Sequence, residues 1–558
     1  MDNYAIADNF SMLSKLMDIH GDNSFKAKSY SSAAFAIEKL PMQLSSVEPH
    51  KIFSIKGIGE SVGKKILEQL QTGTLLALQE YVCKTPPGVI EMLNIKGIGP
   101  KKIATIWKDM EVENLGELLY ACEENRLTLF KGFGEKTQQS VKEGIEFYLG
   151  TIGSYLYQQI ENYCSNVDRK LNEEFLFAEF ILTAAFRRQL EIIEKLEWVT
   201  TASEDELKQF FINGDYEIVQ EETGYISFKG KENVTLGFFY CEQEQLYNQL
   251  FATSCSEEFL KAWLEITGWD ATNTYTSEEE IFEDCKCSFI PACRRENASV
   301  IELGLSTCLP TLIEATDIKG IIHCHSKWSD GLNTIEEMAK ACIDKGYEYL
   351  VISDHSKTAF YAQGLPVEKI RAQHVQIDEL NAKYPTFKIF KSIESDILGD
   401  GSLDYDAATL ATFDIVIASV HSNLKMTEEK AMMRLMNAIA NPFTSILGHM
   451  TGRLLLSRGS YPINHKTIIE ACAANNVVIE LNAHPRRLDM DWRWIDYALQ
   501  KNVLISIDPD AHNIDGYEDC KYGVLVAQKG GLTKDKNLSS FNLAAFEKFV
   551  AEQKMKRK

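Results

Sequence analysis

From residue 314 onward, short apolar runs recur, and each ends in a histidine or a carboxylate. In order they are GIIHCHSKWSDG (320–331), YLVISDHS (349–356), IFKSIESDI (389–397), DIVIASVHS (414–422), SILGHM (445–450), VVIELNAH (477–484) and VLISIDPDAH (503–512). Runs of this length and composition predict buried strands. Between them come helical patterns such as IEEMAKACIDKG (335–346), IIEACAANN (468–476) and WIDYALQKN (494–502). Strand and helix therefore alternate, which predicts parallel strands closed into a barrel. A barrel brings the polar strand ends onto one face, where barrel enzymes keep their chemistry. The pattern points to a metal-dependent hydrolase.

The first 150 residues have a different rhythm. FSIKGIGESVGKKI (53–66), LNIKGIGPKKIATI (93–106) and LFKGFGEKTQQSVKEGI (129–145) each run from an apolar helix end through Gly-x-Gly into a lysine-bearing helix. Paired glycines permit positive φ and remove side chains, so backbone N–H groups and a helix N-terminus can approach a phosphate oxygen. The repeat predicts helix-hairpin-helix units that hold DNA by its backbone without reading sequence. Gly57, Ile58, Gly59, Gly97, Ile98 and Gly99 are the candidate DNA-binding residues. For the third, diverged copy a purely structural role stays open.

Composition changes this picture in three places. A chain of 558 residues is too long for one core and predicts three or four domains. No apolar run approaches the roughly 20 residues that span a bilayer, and the N-terminus lacks a basic, apolar leader, so a cytoplasmic location without membrane attachment is expected. The thirteen cysteines are scattered, as in a reducing compartment; Cys285, Cys287 and Cys293 lack the further ligands of a tetrahedral site and are expected to be free thiols. The net charge of −22 is uneven: residues 1–150 carry 17 basic and 19 acidic side chains, 151–313 carry 12 and 29, and 314–558 carry 29 and 32. A phosphate backbone is thus repelled most by the middle of the chain.

The strand ends of the last segment gather His323, His325, Asp330, His355, Glu394, His421, His449, Asp510 and His512. Six imidazoles and three carboxylates exceed what one ion uses and suit two or three Zn²⁺, Mn²⁺ or Fe²⁺ ions. Arg453 and Arg487 follow the fifth and sixth strands and are expected to neutralise phosphate oxygens; Asp354, beside His355, is expected to orient a ligand imidazole. His374 and His465 are expected to be solvated, and Asp508 to be an acidic neighbour of the site.

These motifs carry a family resemblance. LSKLMDIHGDNSFKAKSYSSAAFAIEKLP (13–41), with the hairpin after it, resembles the lyase-type domain that opens family X DNA polymerases. The polymerase palm of that family needs a Gly-Ser turn and three aspartates that hold two divalent ions. LTAAFRRQLEIIEKLEWVTTA (182–202) keeps Arg187 and Arg188 but has Ala184 and Ala185 at the turn, Lys195 and Glu197 for the paired aspartates, and Gly237 for the third. The last segment, through SDHSKTAFYAQGL, ESDILGDGSLDY, ILGHMTGRLLLSRGSYP and PRRLDMDW, resembles the polymerase and histidinol phosphatase (PHP) superfamily in the version attached to bacterial family X polymerases.

The resemblance implies a multidomain α and α/β chain: a helical lyase-type domain (1–80), a second helix-hairpin-helix domain (81–147), a degenerate α+β nucleotidyltransferase palm and thumb (148–313) and a distorted (β/α)7 barrel (314–558). It implies a metal-dependent phosphoesterase acting on DNA as a 3′-5′ exonuclease, with abasic-site or 3′-phosphate processing, in base-excision repair; the departures at Ala184, Ala185, Lys195, Glu197 and Gly237 imply that the polymerase core beside it does not polymerise. The alternatives are an active repair polymerase with an exonuclease, and a small-molecule phosphatase. The oligomeric state is left open.

Overall fold

Helix ends in the N-terminal segment are set by glycine, asparagine and proline, and its packing is set by small residues. The computed structural model describes residues 1, 3–38, 40, 42–150 and 153–557, and its contacts divide the chain into two units, Met1–Tyr148 and Leu149–Lys558. In the first unit, helices Asn3–His20 and Ser24–Glu38 pair through Ile6, Phe10, Leu13 and Met17 against Ala27, Tyr30, Ala33 and Ile37. The alanines let the two backbones approach. Asn114 caps helix Leu115–Glu123 by accepting from the Glu117 amide, and Pro100 opens helix Pro100–Lys108.

The second unit contains two large sheets. The first has five strands in the spatial order Phe180–Leu182, Lys195–Thr200, Thr235–Tyr240, Tyr225–Lys229 and Glu217–Glu222. Lys195–Thr200 and Thr235–Tyr240 pair in parallel, and the other neighbours are antiparallel. Helices Tyr157–Glu174 and Glu204–Asn213 cover the sheet over a core that includes Trp198, Phe211, Phe228 and Phe238.

The second sheet is the barrel: β1 (Gly320–Cys324), β2 (Tyr349–Ile352), β3 (Lys388–Asp396), β4 (Ile415–Ser419), β5 (Ile446–Leu447), β6 (Val478–Asn482) and β7 (Ile505–Asp508). The seven strands are parallel and follow chain order. The ring closes where Ala511, just beyond β7, pairs in parallel with Cys324 at the end of β1. The near-continuous apolar runs are explained by this architecture, since a parallel barrel buries both faces of each strand. β5 is shorter than its apolar run suggested, because the chain turns at His449, whose φ is +20°. Between β3 and β4 the helix is a single turn, Ala407–Leu410, and the rest is loop.

The two sheets of this unit are tied by buried charge. Lys529, only 3% exposed, donates from Nζ to the Arg188 carbonyl (2.8 Å) and lies 2.9 Å from Glu296 Oε1, while Arg294 donates to the Lys529 carbonyl at 3.1 Å.

Candidate metal centre

Three of the nine candidate ligands sit on left-handed backbone: His323 (φ +56°), His449 (+20°) and Asp510 (+51°). Non-glycine residues rarely adopt such values, and strain of this kind concentrates where side chains must be aimed. β1 carries an irregularity between Ile321 and Cys324, so His323 departs from regular strand geometry while His325 follows two residues on.

The nine side chains converge at the C-terminal mouth, and none is more than 9% exposed. Ligand atoms of His325, Asp330, His355 and His512 lie within 4.8 Å of one another, as do those of His323, His325 and Asp510, and those of His355, Glu394 and His421. His325 and His355 each belong to two of these groups, so the three positions interlock. His449 joins through Glu394, with Nε2 2.9 Å from Oε1. The donor set suits divalent ions. Nε2 of His323, Nδ1 of His325, Oδ2 of Asp330 and Oε2 of Glu394 are buried without a hydrogen-bond partner, as ligand atoms aimed at a shared point would be.

Electrostatics describe the same place. Burial disfavours charge on His421, but the Glu394 and Asp396 carboxylates outweigh it and push its pKa up to about 10. Burial is likewise overcome at His323, chiefly by Glu480, and at His355, chiefly by Asp330. His325 goes the other way, to about 4, through burial and its imidazole neighbours His512 and His355. Glu394 and Asp510 are held well below the usual carboxylate range, because surrounding imidazoles outweigh burial. A cation binding here therefore displaces protons.

Three further residues hold the ligands in place and escaped the reading of the sequence. Glu480 Oε1 lies 2.6 Å from His323 Nδ1, and its Oε2 accepts the His449 amide at 2.6 Å. Asp396 pairs with His421 Nδ1, and Asn482 donates to Asp510 Oδ2 at 3.0 Å. The signal was present: Glu394 and Asp396, and likewise Glu480 and Asn482, are two apart on a strand and so share its face.

Other expected roles are corrected. Asp354 touches no ligand imidazole; it accepts from the amide and hydroxyl of Ser326, from Ser329 and from Gln373, and so braces the loop that carries Asp330. Arg453 does not face the centre: Nε donates to the Arg487 carbonyl (2.9 Å), Nη1 to Asp491 (2.8 Å) and Nη2 to the Leu488 carbonyl, with Glu191 3.6 Å away. Arg487 does face it, with Nε 3.6 Å from Asp510 Oδ2. Asp508 is buried, accepts from Ser506, and is pushed well above the carboxylate range by burial and by Glu480. His374 and His465 are half-buried against Phe413 and Trp494 rather than solvated. His484 accepts the Arg486 amide at 3.2 Å.

In the first unit, Gly57, Gly97 and Gly132 share one conformation, with φ of +93°, +96° and +97°. The third copy thus keeps the turn of the other two. Gly59 and Gly99 precede helices Glu60–Thr72 and Pro100–Lys108 with no side-chain cap, which leaves the N-terminal turn to an external acceptor. The side chains of Ile58 and Ile98 point inward, 4% and 6% exposed, and the Ile58 amide donates to the Ile55 carbonyl at 3.0 Å, so what these turns offer outward is backbone.

In the five-stranded sheet, Glu197 pairs directly across from Gly237 on parallel strands. The Tyr225 hydroxyl donates to Glu197 Oε1 at 3.1 Å and stands 2.5 Å from where a Cβ on Gly237 would lie. Lys195 Nζ lies 5.7 Å from the centre of the same ring. Arg187 makes two hydrogen bonds with Glu278, at 2.9 and 2.8 Å, and Arg188 pairs with Glu296 at 3.1 Å. A cavity of about 560 Å³ lies elsewhere in this region, lined in part by Tyr163, Arg169, Tyr216 and Lys231. Arg169 and Lys231 pair with Glu173 and Asp215, Lys170 also lines the cavity, and its lining includes none of the candidate ligands.

Comparison with known proteins follows the same divisions. Residues 1–75 match a helix-hairpin-helix domain, 89–146 a SAM-like helix-hairpin-helix tandem, and 322–484 a PHP domain. The chain is 32% identical to the DNA polymerase/3′-5′ exonuclease PolX of Bacillus subtilis (strain 168) over 565 aligned positions, covering 96% of each chain. A probable phosphatase of Thermoanaerobacter sp. (strain X514) is 24% identical over 237 positions, covering 40% of this chain and 90% of that one. No helix among the described residues is long and apolar enough to cross a membrane.

Proposed function

Because the chain belongs to the bacterial PolX family, with helix-hairpin-helix domains and a C-terminal PHP domain, we propose that it is a 3′-5′ exonuclease whose barrel cleaves DNA phosphodiesters and whose middle domain does not polymerise. The observation that carries the reading is the set of three interlocking ligand groups built from His323, His325, Asp330, His355, Glu394, His421, Asp510 and His512, with His449 attached through Glu394. Two or three ions of Zn²⁺, Mn²⁺ or Fe²⁺, when bound, would supply a nucleophile from water near neutral pH and neutralise phosphate charge. Glu480 and Asp396 fix the imidazoles of His323 and His421, and Arg487 is assigned to a phosphate oxygen at the edge of the centre.

The turns at Gly57–Gly59 and Gly97–Gly99 hold the DNA backbone in this reading, and a small-molecule phosphatase would have no use for them. Base-excision repair, including removal of abasic or 3′-phosphate ends, is the setting assigned, in the cytoplasm. An active polymerase is disfavoured by the geometry at Glu197 and Gly237, where the Tyr225 hydroxyl takes the space a third carboxylate would need.

The test is the purified chain with Mn²⁺, labelled gapped, abasic and primer–template DNA, and nucleotides. Shortening without extension is expected. Replacing His323 and His325 with alanine should reduce shortening by about 10³-fold or more, the several kcal/mol that metal assistance contributes. Templated extension by the parent protein would overturn the reading of the middle domain, and shortening that survives the double replacement would overturn that of the barrel.

A further inference from the structure

The cavity of about 560 Å³ beside the five-stranded sheet has a volume within the ordinary range of small-molecule sites. Helix Tyr157–Glu174 forms one side, and the end of helix Glu204–Asn213 with the turn after it forms the other. The floor is apolar, with Leu171, Phe211 and Leu236 at most 2% exposed. Leu236 fixes which face of the sheet this is. Neighbouring residues on a strand point to opposite faces, so the cavity lies on the helix-covered face, while Gly237, with Glu197 directly across from it, lies on the other. The cavity is therefore separate from the place where polymerase carboxylates would stand.

Its walls are built around two phenol rings. Tyr163 hydrogen-bonds to Tyr216, and the Tyr216 ring stands edge-on to Phe211 with 5.2 Å between ring centres. Gly230 makes room for that ring, since a Cβ there would lie 2.6 Å from it. Asn166 adds to the lining an amide that can both donate and accept.

The rim is cationic, against the charge of its surroundings. Residues 151–313 carry 12 basic and 29 acidic side chains, yet the lining holds three basic ones, Arg169, Lys170 and Lys231, against two acidic, Asp215 and Glu232. Arg169 pairs with Glu173 at 3.1 Å and Lys231 with Asp215 at 3.5 Å, and all four side chains are more than half exposed. Exposed pairs contribute little, so an incoming anion can take over both cations. Lys170, also exposed, has no ion pair among the described residues. An apolar floor, aromatic walls, an amide and a cationic rim suit a ligand with a flat heterocycle at one end and a phosphate at the other.

We propose that this cavity binds a free nucleoside 5′-monophosphate, with the base against Tyr163 and Tyr216, the base edge at Asn166, and the phosphate at Lys170 and the two cations beside it. The site is independent of hydrolysis at the barrel.

The experiment is calorimetric titration of the full-length chain, in chelator so that the barrel holds no metal. The ligands are deoxyadenosine 5′-monophosphate, deoxyadenosine, deoxyribose 5-phosphate, 4-nitrophenyl phosphate and inorganic phosphate. The parent should bind one equivalent of the nucleotide, and each of the other four should bind at least about tenfold more weakly. Lys170→Glu should weaken nucleotide binding by about tenfold or more, and Asn166→Trp, which fills the cavity from an exposed helix position, should abolish it. Both variants should unfold at the parent's temperature. The double replacement of His323 and His325 by alanine should bind as the parent does, and a 5′-phosphorylated single strand should not displace the nucleotide. No binding up to millimolar nucleotide, equal affinity for phosphate or 4-nitrophenyl phosphate, or undiminished binding by Asn166→Trp overturns the site. Loss of binding in the barrel variant overturns its location, and displacement by the single strand overturns a free nucleotide as its occupant.

Discussion

The barrel and the five-stranded sheet both bring polar side chains together on neighbouring parallel strands, and they use them in opposite ways. In the barrel, nine imidazoles and carboxylates are buried in three interlocking groups, with His449 joined through Glu394, and several of their atoms find no hydrogen-bond partner within the protein. In the sheet, Glu197 faces Gly237, the Tyr225 hydroxyl fills the gap, and the nearby arginines Arg187 and Arg188 are taken up by Glu278 and Glu296. Buried charge that is fully satisfied internally is structural, whereas buried charge left unsatisfied needs something the chain does not supply.

The sharpest way to break this contrast is Glu278→Ala. Glu278 is 4% exposed and pairs with Arg187 and Arg295, so its removal strands two guanidinium groups and should lower unfolding free energy by about 3–5 kcal/mol. Hydrolysis at the barrel should persist at temperatures where the variant stays folded. Burial opposes the charge of Glu278, but Arg295 and Arg187 outweigh it and depress its pKa from 4.5 to about 2. Its stabilisation is therefore complete above pH 4.5 and is lost as the pH falls toward about 2, a loss that urea unfolding across this range would detect. If Glu278→Ala is as stable as the parent, the sheet's charges are not structural.

Glu480→Gln sharpens the other side. The amide keeps the shape but loses the charge that faces His323 Nδ1, and metal affinity in a competing-chelator titration should weaken by roughly 10- to 100-fold. An unchanged affinity would mean that Glu480 belongs to the barrel's packing alone. The smallest effect is expected at Gly237→Ala, where the new Cβ would press on the Tyr225 hydroxyl. The cost should be about 1 kcal/mol by thermal unfolding, because the tip of that side chain can shift. Gly237→Asp, which restores a carboxylate, should yield no templated extension. Extension by that variant would erase the contrast.

The barrel was legible because burial on both faces writes long apolar runs, and because a His-x-His pair stands at the end of one of them. The ligand-positioning carboxylates were hidden in the same runs: Glu480 and Asp396 read as polar interruptions of strands until their partners, 157 and 25 residues away, are in place. Direction was invisible as well. Arg453 and Arg487 occupy equivalent places after β5 and β6, yet one guanidinium turns to loop carbonyls and the other toward Asp510, a difference set by loop packing. In the hairpins, spacing located the glycines, the first of each turn agreeing in φ to within a few degrees, but did not reveal that the residue between them points inward.

Arg453 links the two regions. From the loop after β5 it grips the carbonyls of Arg487 and Leu488, and it reaches Glu191 next to the five-stranded sheet. That sheet thereby acts as a splint for the mouth of the barrel. A barrel cut free at residue 314 would keep its nine ligand residues and lose the brace behind Arg487, so the protein is best engineered as one body from Leu149 onward.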